Sequence, residues 1–199
     1  MGNREDLLAG ARKVIVERGV AKATARDIAS AAGVSLAAIG YHFGSKEALI
    51  TEALAESLGN SIGDGMDALI RESTGTPLLR AFAHLWNEMP KVFQENRDYM
   101  TASLENMVRV VRSPRDQQFY ADQMPGMYRE MVALLRDTHP QLNEEQAYAI
   151  AQLNWVLVQG LGMLSVVMPD AELPDGDRLA EAVAVLAGYS GAQTNTSDT

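Results

Sequence analysis

"TARDIASAAGVSLAAIGYHFGSKEAL", residues 24–49, announces three helix starts within 26 residues. Thr24 precedes Ala25-Arg26-Asp27-Ile28-Ala29, a hydroxyl cap with an acid three residues on, which predicts a helix ending at Ala32 and stopped by Gly33. Ser35 is placed to cap a further helix running to about Phe43, Gly44 breaks it, and Ser45 caps the next from Lys46. Only Gly33-Val34 separates the first two of these helices from the waiting serine, and so short a glycine-containing joint is the helix-turn-helix arrangement. The middle helix offers little to a core beyond Val34, Ile39 and Phe43, so its neighbours must stabilise it. At about 1.5 Å rise per residue it is a rod of roughly 12 Å. That length matches the roughly 12 Å width of the DNA major groove.

Upstream, Leu7, Leu8, Ala11, Val14 and Ile15 recur at helical spacing before Gly19, which predicts one more helix in front of the pair. Polar groups fall where phosphates would lie. Thr24 and Ser35 stand at helix N-termini, whose free amides and dipole attract anions. Arg26 is in a first turn, and Lys46 opens a helix where a lysine opposes the dipole, so a phosphate partner accounts for it. Ala37 and Ala38 are small enough to let the middle helix approach base edges.

The threonine cap, "IA..AGVS", the "YHF" end and "SKEAL" occur together, in order, over about residues 4–55. In this the chain resembles the TetR (tetracycline-repressor-like) family of transcriptional regulators. The resemblance implies DNA-facing positions at Thr24, Arg26, Ser35, Leu36, Ala37, Ala38, Tyr41, His42 and Lys46. The chain departs from the family pattern at Gly40, where the family usually has tyrosine.

The 199 residues hold 17 Lys/Arg against 26 Asp/Glu, a net charge of −9, which argues against a protein that coats nucleic acid indiscriminately. Residues 1–50 carry seven basic and five acidic side chains, a net of +2 that leaves −11 on the remainder. A mildly basic head on an acidic body fits a chain of which only the head meets a polyanion. Cysteine is absent, so disulfides, zinc-thiolate sites and cysteine nucleophiles are excluded. The first 20 residues alternate charge and apolarity rather than forming a signal-peptide core, and no uninterrupted apolar run reaches about 18 residues. The expectation is a cytoplasmic protein that does not enter a membrane.

From residue 51 onward nothing alternates with period two, and the body reads as helices at about 77–94, 96–112, 115–138, 143–168 and 177–190. Gly59, Gly63 and Gly65 are expected to fray the end of the fourth helix, and "STGTP" to be a break with Pro77 opening a new helix. The predicted fold class is all-α: a three-helix helix-turn-helix domain over residues 1–50, a larger helical domain over 51–191, and a disordered polar tail over 192–199.

Six of the ten methionines lie between Met89 and Met131, interleaved with aromatics. Met100, Leu104, Met107 and Val111 form one helical stripe; Met124, Met127, Tyr128 and Met131 form another. Thioethers and aromatics with few aliphatics fit an adaptable apolar cavity as well as a packed core. With the ligand pocket that the family resemblance implies, Trp86, Met89, Phe93, Trp155 and Gln159 join these stripes as candidate ligand contacts, for a small apolar or aromatic effector.

"AYAIAQLNWVLVQGLGMLSVVM" is apolar on more than one face, and "DRLAEAVAVLAGY" carries a second apolar stripe. The family dimerises through its last two helices as a four-helix bundle. That assigns Val156, Gly160, Leu164, Leu179, Val183 and Leu186 to a homodimer interface. Glu144 and Glu145, or His84 with His139, bring no three donors together, so no metal and no cofactor is expected. No Ser, Asp or Glu stands at a triad spacing from His42, so no enzyme is expected. The function read from the sequence is a homodimeric, ligand-responsive transcriptional regulator, a repressor released from a pseudo-palindromic double-stranded operator by its effector. An architectural DNA binder, or a protein-interaction module without effector control, is the alternative.

Overall fold

The structure, a computed structural model, describes residues 2–188. Its elements are α1 (Gly2–Arg18), α2 (Ala25–Ala32), α3 (Leu36–Phe43), α4 (Lys46–Leu58), a π-helical turn (Gly59–Gly63), α5 (Asp64–Glu72), α6 (Leu78–Glu95), α7 (Arg97–Val110), α8 (Pro114–Thr138), α9 (Glu144–Val167) and α10 (Gly176–Leu186). No strand occurs among the described residues, and the all-α reading holds. The tail expected over 192–199 lies outside the described residues.

The predicted punctuation sets the N-terminal elements. Thr24 Oγ1 accepts from the Asp27 amide at 3.1 Å and Ser45 Oγ from the Ala48 amide at 3.1 Å, each satisfying an amide that the helix cannot. Gly33 ends α2 at φ 66°, a left-handed conformation open to glycine, and the turn it makes sets α3 across α2. Leu7, Ala11 and Ile15 of α1, Ile28 of α2, Ile39 and Phe43 of α3, and Leu49 and Leu54 of α4 share one buried cluster. Ile39 and Phe43 each contribute about 1.5–3 kcal/mol by burial, which is how an eight-residue helix persists. The cluster runs on to Ala53, Leu54 and Ala102 of α7, so the boundary expected after residue 50 falls inside α4 and within a shared core.

The glycines at 59, 63 and 65 do not fray the fourth helix. The rod continues through one π turn into α5, a helix the sequence reading left out. A π turn absorbs one extra residue per turn. Here Ser57 and Ser61 back-bond to the carbonyls of Ala53 and Ser57 at 2.8 and 2.7 Å. Isolated glycine weakens a helix by only about 1 kcal/mol, less than the burial of Ile62, Met66 and Ile70 returns.

The body packs α5, α6, α8 and α9 around Trp86, Met89, Phe93, Met100, Leu134 and Leu135. Ser113 caps α8 with Pro114 at its start, and a reciprocal Asn143–Gln146 capping box opens α9. The last helix, expected over 177–190, spans Gly176–Leu186. It seats on α6 so closely that a Cβ on Gly176 would lie 1.9 Å from the Ala83 carbonyl oxygen, so only glycine fits there.

Candidate nucleic-acid interface

α3 is exposed along one side. Ser35, Leu36, Ala37, Gly40 and Tyr41 face solvent, with Tyr41 85% exposed and Leu36 50%. Tyr41 stands edge-on to half-buried His42, ring centroids 4.9 Å apart. Ala38 does not belong to this side. It is buried with Ile39 and Phe43 in the head's core, because the 3.6-residue repeat puts 38, 39 and 43 on the face opposite 36, 37, 40 and 41. It is therefore removed from the base-facing set.

Of the four other polar candidates, Thr24 and Lys46 are more engaged than the sequence implied, and Ser35 and Arg26 are not. The Thr24 hydroxyl accepts from the Asp27 amide and donates to Asp27 Oδ2 at 2.6 Å, so its only proton is committed. That hydrogen bond, with the nearby Arg18 guanidinium at 3.0 Å, holds the Asp27 carboxyl below its ordinary range despite some desolvation. Lys46 Nζ donates to the Ala23 carbonyl at 3.0 Å, clasping the start of α4 to the turn before α2, and retains two further protons. Ser35 sits at the cap of α3 but makes no capping hydrogen bond, which leaves its hydroxyl free to meet a ligand. Arg26 is exposed in the first turn of α2, beside the Thr24 cap. Two helix N-termini and two cations thus flank the exposed face of α3, the arrangement that seats a short helix between phosphate rows.

A second polar system, which the sequence reading missed, fastens this unit to the body. Arg115 Nη2, in the first turn of α8, donates to the carbonyl of Phe43, the last residue of α3, at 2.6 Å. Arg109 of α7 donates to Asp116 Oδ2 at 2.6 Å, to the Glu47 carbonyl at 3.2 Å and to Thr51 Oγ1. Asn106 Nδ2 also donates to Thr51 Oγ1, at 3.1 Å. Burial pushes the Asp116 carboxyl up, but hydrogen bonds from Ser113 and Arg109 and the charges of Arg109 and Arg115 outweigh it, and the net shift is downward. The signal available in the sequence was Ser113-Pro114-Arg115-Asp116, a capped helix start with a basic residue in its first turn. Beside this system a cleft of about 340 Å³ opens between α4 and α8, edged by Thr51, Glu52, Arg115, Asp116 and Phe119.

The candidate ligand contacts divide. Trp86, Met89, Phe93 and Met100 are buried in the body's close-packed core, with Tyr128 and Met131 against them, and Trp86 Nε1 donates to buried Asn154 at 3.2 Å. Flexible thioethers here fill gaps between aromatic rings rather than edge an open cavity. Leu104, Met107, Met124 and Met127 are half-buried on α7 and α8, and Trp155 is half-buried on α9. Gln159 is exposed and points away from the core, one helical turn from Val156 and Met163.

Of the interface candidates, Val156, Val183 and Leu186 are exposed, Leu186 to 88%. Gly160 is half-buried, with no atom beyond its own stretch of helix within 4 Å of where its Cβ would stand. Leu164 and Leu179 are half-buried, Leu179 against the body core. Leu153, Val156, Met163 and Val167 form an exposed apolar stripe along α9, and α10, which packs on α6, exposes Val183, Val185 and Leu186. α9 is the one helix among the described residues long and apolar enough to cross a membrane, and most of it is uncovered.

Residues 7–53 match the family model for bacterial regulatory proteins of the tetR family. The HTH-type transcriptional repressor KstR2 of Rhodococcus jostii (strain RHA1) is 40% identical over 62 residues, which is 31% of this chain and 30% of that protein. The chain as a whole has the fold of the transcriptional regulator SCO7518 from Streptomyces coelicolor A3(2), at TM-score 0.58 and 23% identity over 94% of this chain and 98% of that one. It is similarly related to the multidrug binding protein EbrR complexed with imidazole, at TM-score 0.60 and 19% identity over 92% and 94% of the two chains.

Proposed function

We propose, from the tetR-family match of its N-terminal residues 7–53, that the chain is a TetR-family transcriptional regulator, a cytoplasmic homodimeric repressor released from a pseudo-palindromic operator by a small apolar or aromatic effector. The observation that carries the DNA reading is α3: a short helix, exposed on one face and anchored by Ile39 and Phe43 on the other, between two helix N-termini and the cations Arg26 and Lys46. Ser35, Tyr41 and His42 position it on phosphates beside the α2 start that Thr24 caps, and Leu36 and Ala37 lie nearest the base edges. The apolar surfaces of α9 and α10 support self-association. The exposed large apolar groups on α9 (Leu153, Val156, Met163, Val167) and on α10 (Val183, Val185, Leu186) have no cover among the described residues, and a four-helix bundle of α9 and α10 with their copies would cover them.

The effector reading rests on the soft packing of the body and on a neighbour of the same fold, EbrR, whose structure holds imidazole. A ligand meets Leu104, Met107, Met124 and Met127 first and reaches Trp86, Met89, Phe93 or Met100 only by parting the helices. It acts by favouring a dimer whose two α3 helices no longer match the half-site spacing, to the extent of its differential affinity for the two forms.

Selection of a random duplex library on the full-length protein, followed by anisotropy titrations over a salt series, tests the DNA reading. The expected result is a two-fold symmetric consensus bound by a dimer, with affinity falling steeply as salt rises. A specificity ratio near one, or binding by monomers, would sink it.

A further inference from the structure

The exposed face of α3 is unusual for what it lacks. From Leu36 to Phe43 there is no Arg, Lys, Asn, Gln, Asp or Glu. Those are the side chains that pair with guanine, adenine and cytosine edges in the major groove. The outward positions are instead Ser35, Leu36, Ala37, Gly40 and Tyr41. The neighbouring cations, Arg26 and Lys46, belong to α2 and α4, at helix starts that flank α3 rather than project from its exposed face. Lys46 is further held back by its bond to the Ala23 carbonyl.

Leu36 is the first residue of α3, at the end that meets base edges when such a helix docks. Half of its surface is uncovered, and Ala37 beside it is small enough not to hold the helix away from the groove floor. An isobutyl group brought against the floor of the major groove finds one apolar feature there, the C5 methyl of thymine. Ser35 has a hydroxyl that both donates and accepts, so it serves any base and selects none strongly.

Resting on the reading of α3 as the groove helix, we infer that Leu36 reads thymine methyl groups and that each half-site is specified by thymines rather than by contacts to guanine. The recognition is then apolar and shape-dependent, and strong polar base pairing plays no part in it.

The test uses the consensus recovered by selection on the full-length protein. Each thymine of the consensus is replaced by deoxyuridine, which pairs identically and lacks only the methyl. Covering one methyl is worth about fourfold in affinity. The expected result is a loss of about fourfold at one or two thymines per half-site, about sixteenfold when one such thymine is changed in both half-sites, and none elsewhere. Leu36→Ala, a change at an exposed position that leaves the core intact, should weaken the thymine duplex by a similar factor and abolish the difference between thymine and deoxyuridine at the same position. A consensus anchored on G·C pairs with deoxyuridine neutral throughout overturns the inference, as does a deoxyuridine penalty that survives Leu36→Ala, and both leave DNA binding itself standing. Failure to enrich any sequence overturns the inference and the proposed function together.

Discussion

Replacing Gly176 with alanine is expected to unseat α10 and to lower stability by about 3–5 kcal/mol. The new Cβ would lie 1.9 Å from Ala83 O, 2.7 Å from Asn87 N and 2.8 Å from Ala83 C, all of them backbone atoms of a helix interior that cannot turn aside. A carbon and a carbonyl oxygen sit comfortably at about 3.3 Å, so the start of α10 must lift by well over an ångström. That lift breaks the bond from the Gly176 amide to Asn87 Oδ1, now 2.8 Å, and the one from Asn87 Nδ2 to Asp177, now 3.1 Å. Two hydrogen bonds at about 1 kcal/mol each and a forced backbone shift of about 1–3 kcal/mol give the range stated. Urea denaturation at fixed protein concentration reads the loss, since the stability of a dimer depends on concentration. Sedimentation reads the weakened self-association that a displaced α10 implies. Gly160→Ala is the control. No atom beyond its own stretch of helix lies within 4 Å of its Cβ position, so the alanine should gain up to about 1 kcal/mol of helix propensity within one chain, and any loss of dimer then reports a partner helix at that point. If Gly176→Ala changes stability by less than about 0.5 kcal/mol, α10 does not sit on α6 as described and the reasoning fails.

Gly40→Ala has open space around its Cβ, so it should raise stability by about 0.5–1 kcal/mol while moving operator affinity less than about threefold; stabilisation with lost binding would mean that DNA backbone approaches too closely for a side chain. Lys46→Ala should cost about 1 kcal/mol through the lost bond to the Ala23 carbonyl and flatten the salt dependence of operator binding by about one counterion; an unchanged slope would confine Lys46 to its structural clasp. Asp116 has its pKa lowered on folding, so the stability it contributes is complete above the ordinary value of 3.8 and is lost as pH falls through the lower folded value. Stability against pH for Asp116→Asn should therefore lie below that of the native chain at neutral pH and converge with it in acid; parallel curves would refute the assignment.

What was legible in the sequence was what local chemistry dictates. Thr24, Gly33, Ser45, Pro77 and Ser113 each mark a helix boundary by a mechanism that acts within four residues, and the boundaries fell within a residue or two of them. The rod through Gly59–Gly63 escaped because tertiary burial of Ile62 and Met66 outweighs the glycines' poor propensity, and no local rule contains that term. Ala38 escaped for a different reason. Small residues were read as room for base edges without asking which side of α3 they occupy, and Ile39 and Phe43 settle that side. The methionines carried a real ambiguity. The same soft side chains make a dense core or a yielding cavity, and composition does not separate the two. Arg109 and Arg115 were invisible because their partners, the carbonyls of Glu47 and Phe43, are backbone atoms more than 60 positions away.

Those two arginines also bear on how an event in the body reaches α3. The end of α3 is held from outside its own unit: Arg115 donates to the Phe43 carbonyl, and its guanidinium Nη1 lies 3.0 Å from where a Cβ on Gly44 would be. Arg109 ties α7 to α4 and to α8 at once, through Thr51, the Glu47 carbonyl and Asp116. Hydrogen bonds weaken steeply with a displacement of a few tenths of an ångström and with misalignment, so α8 and α4 cannot slide past one another while both arginines keep their partners. On the proposed function, a ligand wedged beside Met124 or Met127 would act on α8, the helix whose first turn grips α3. The packed core offers it discrete alternatives rather than a continuous give, because close-packed side chains re-seat or do not. Under the proposed function, coupling of this kind would need only that the two seatings of α8 differ in their affinity for the ligand and in the placement of Arg115, and the Arg115–Phe43 contact, not the methionines, would then be the part that DNA affinity depends on.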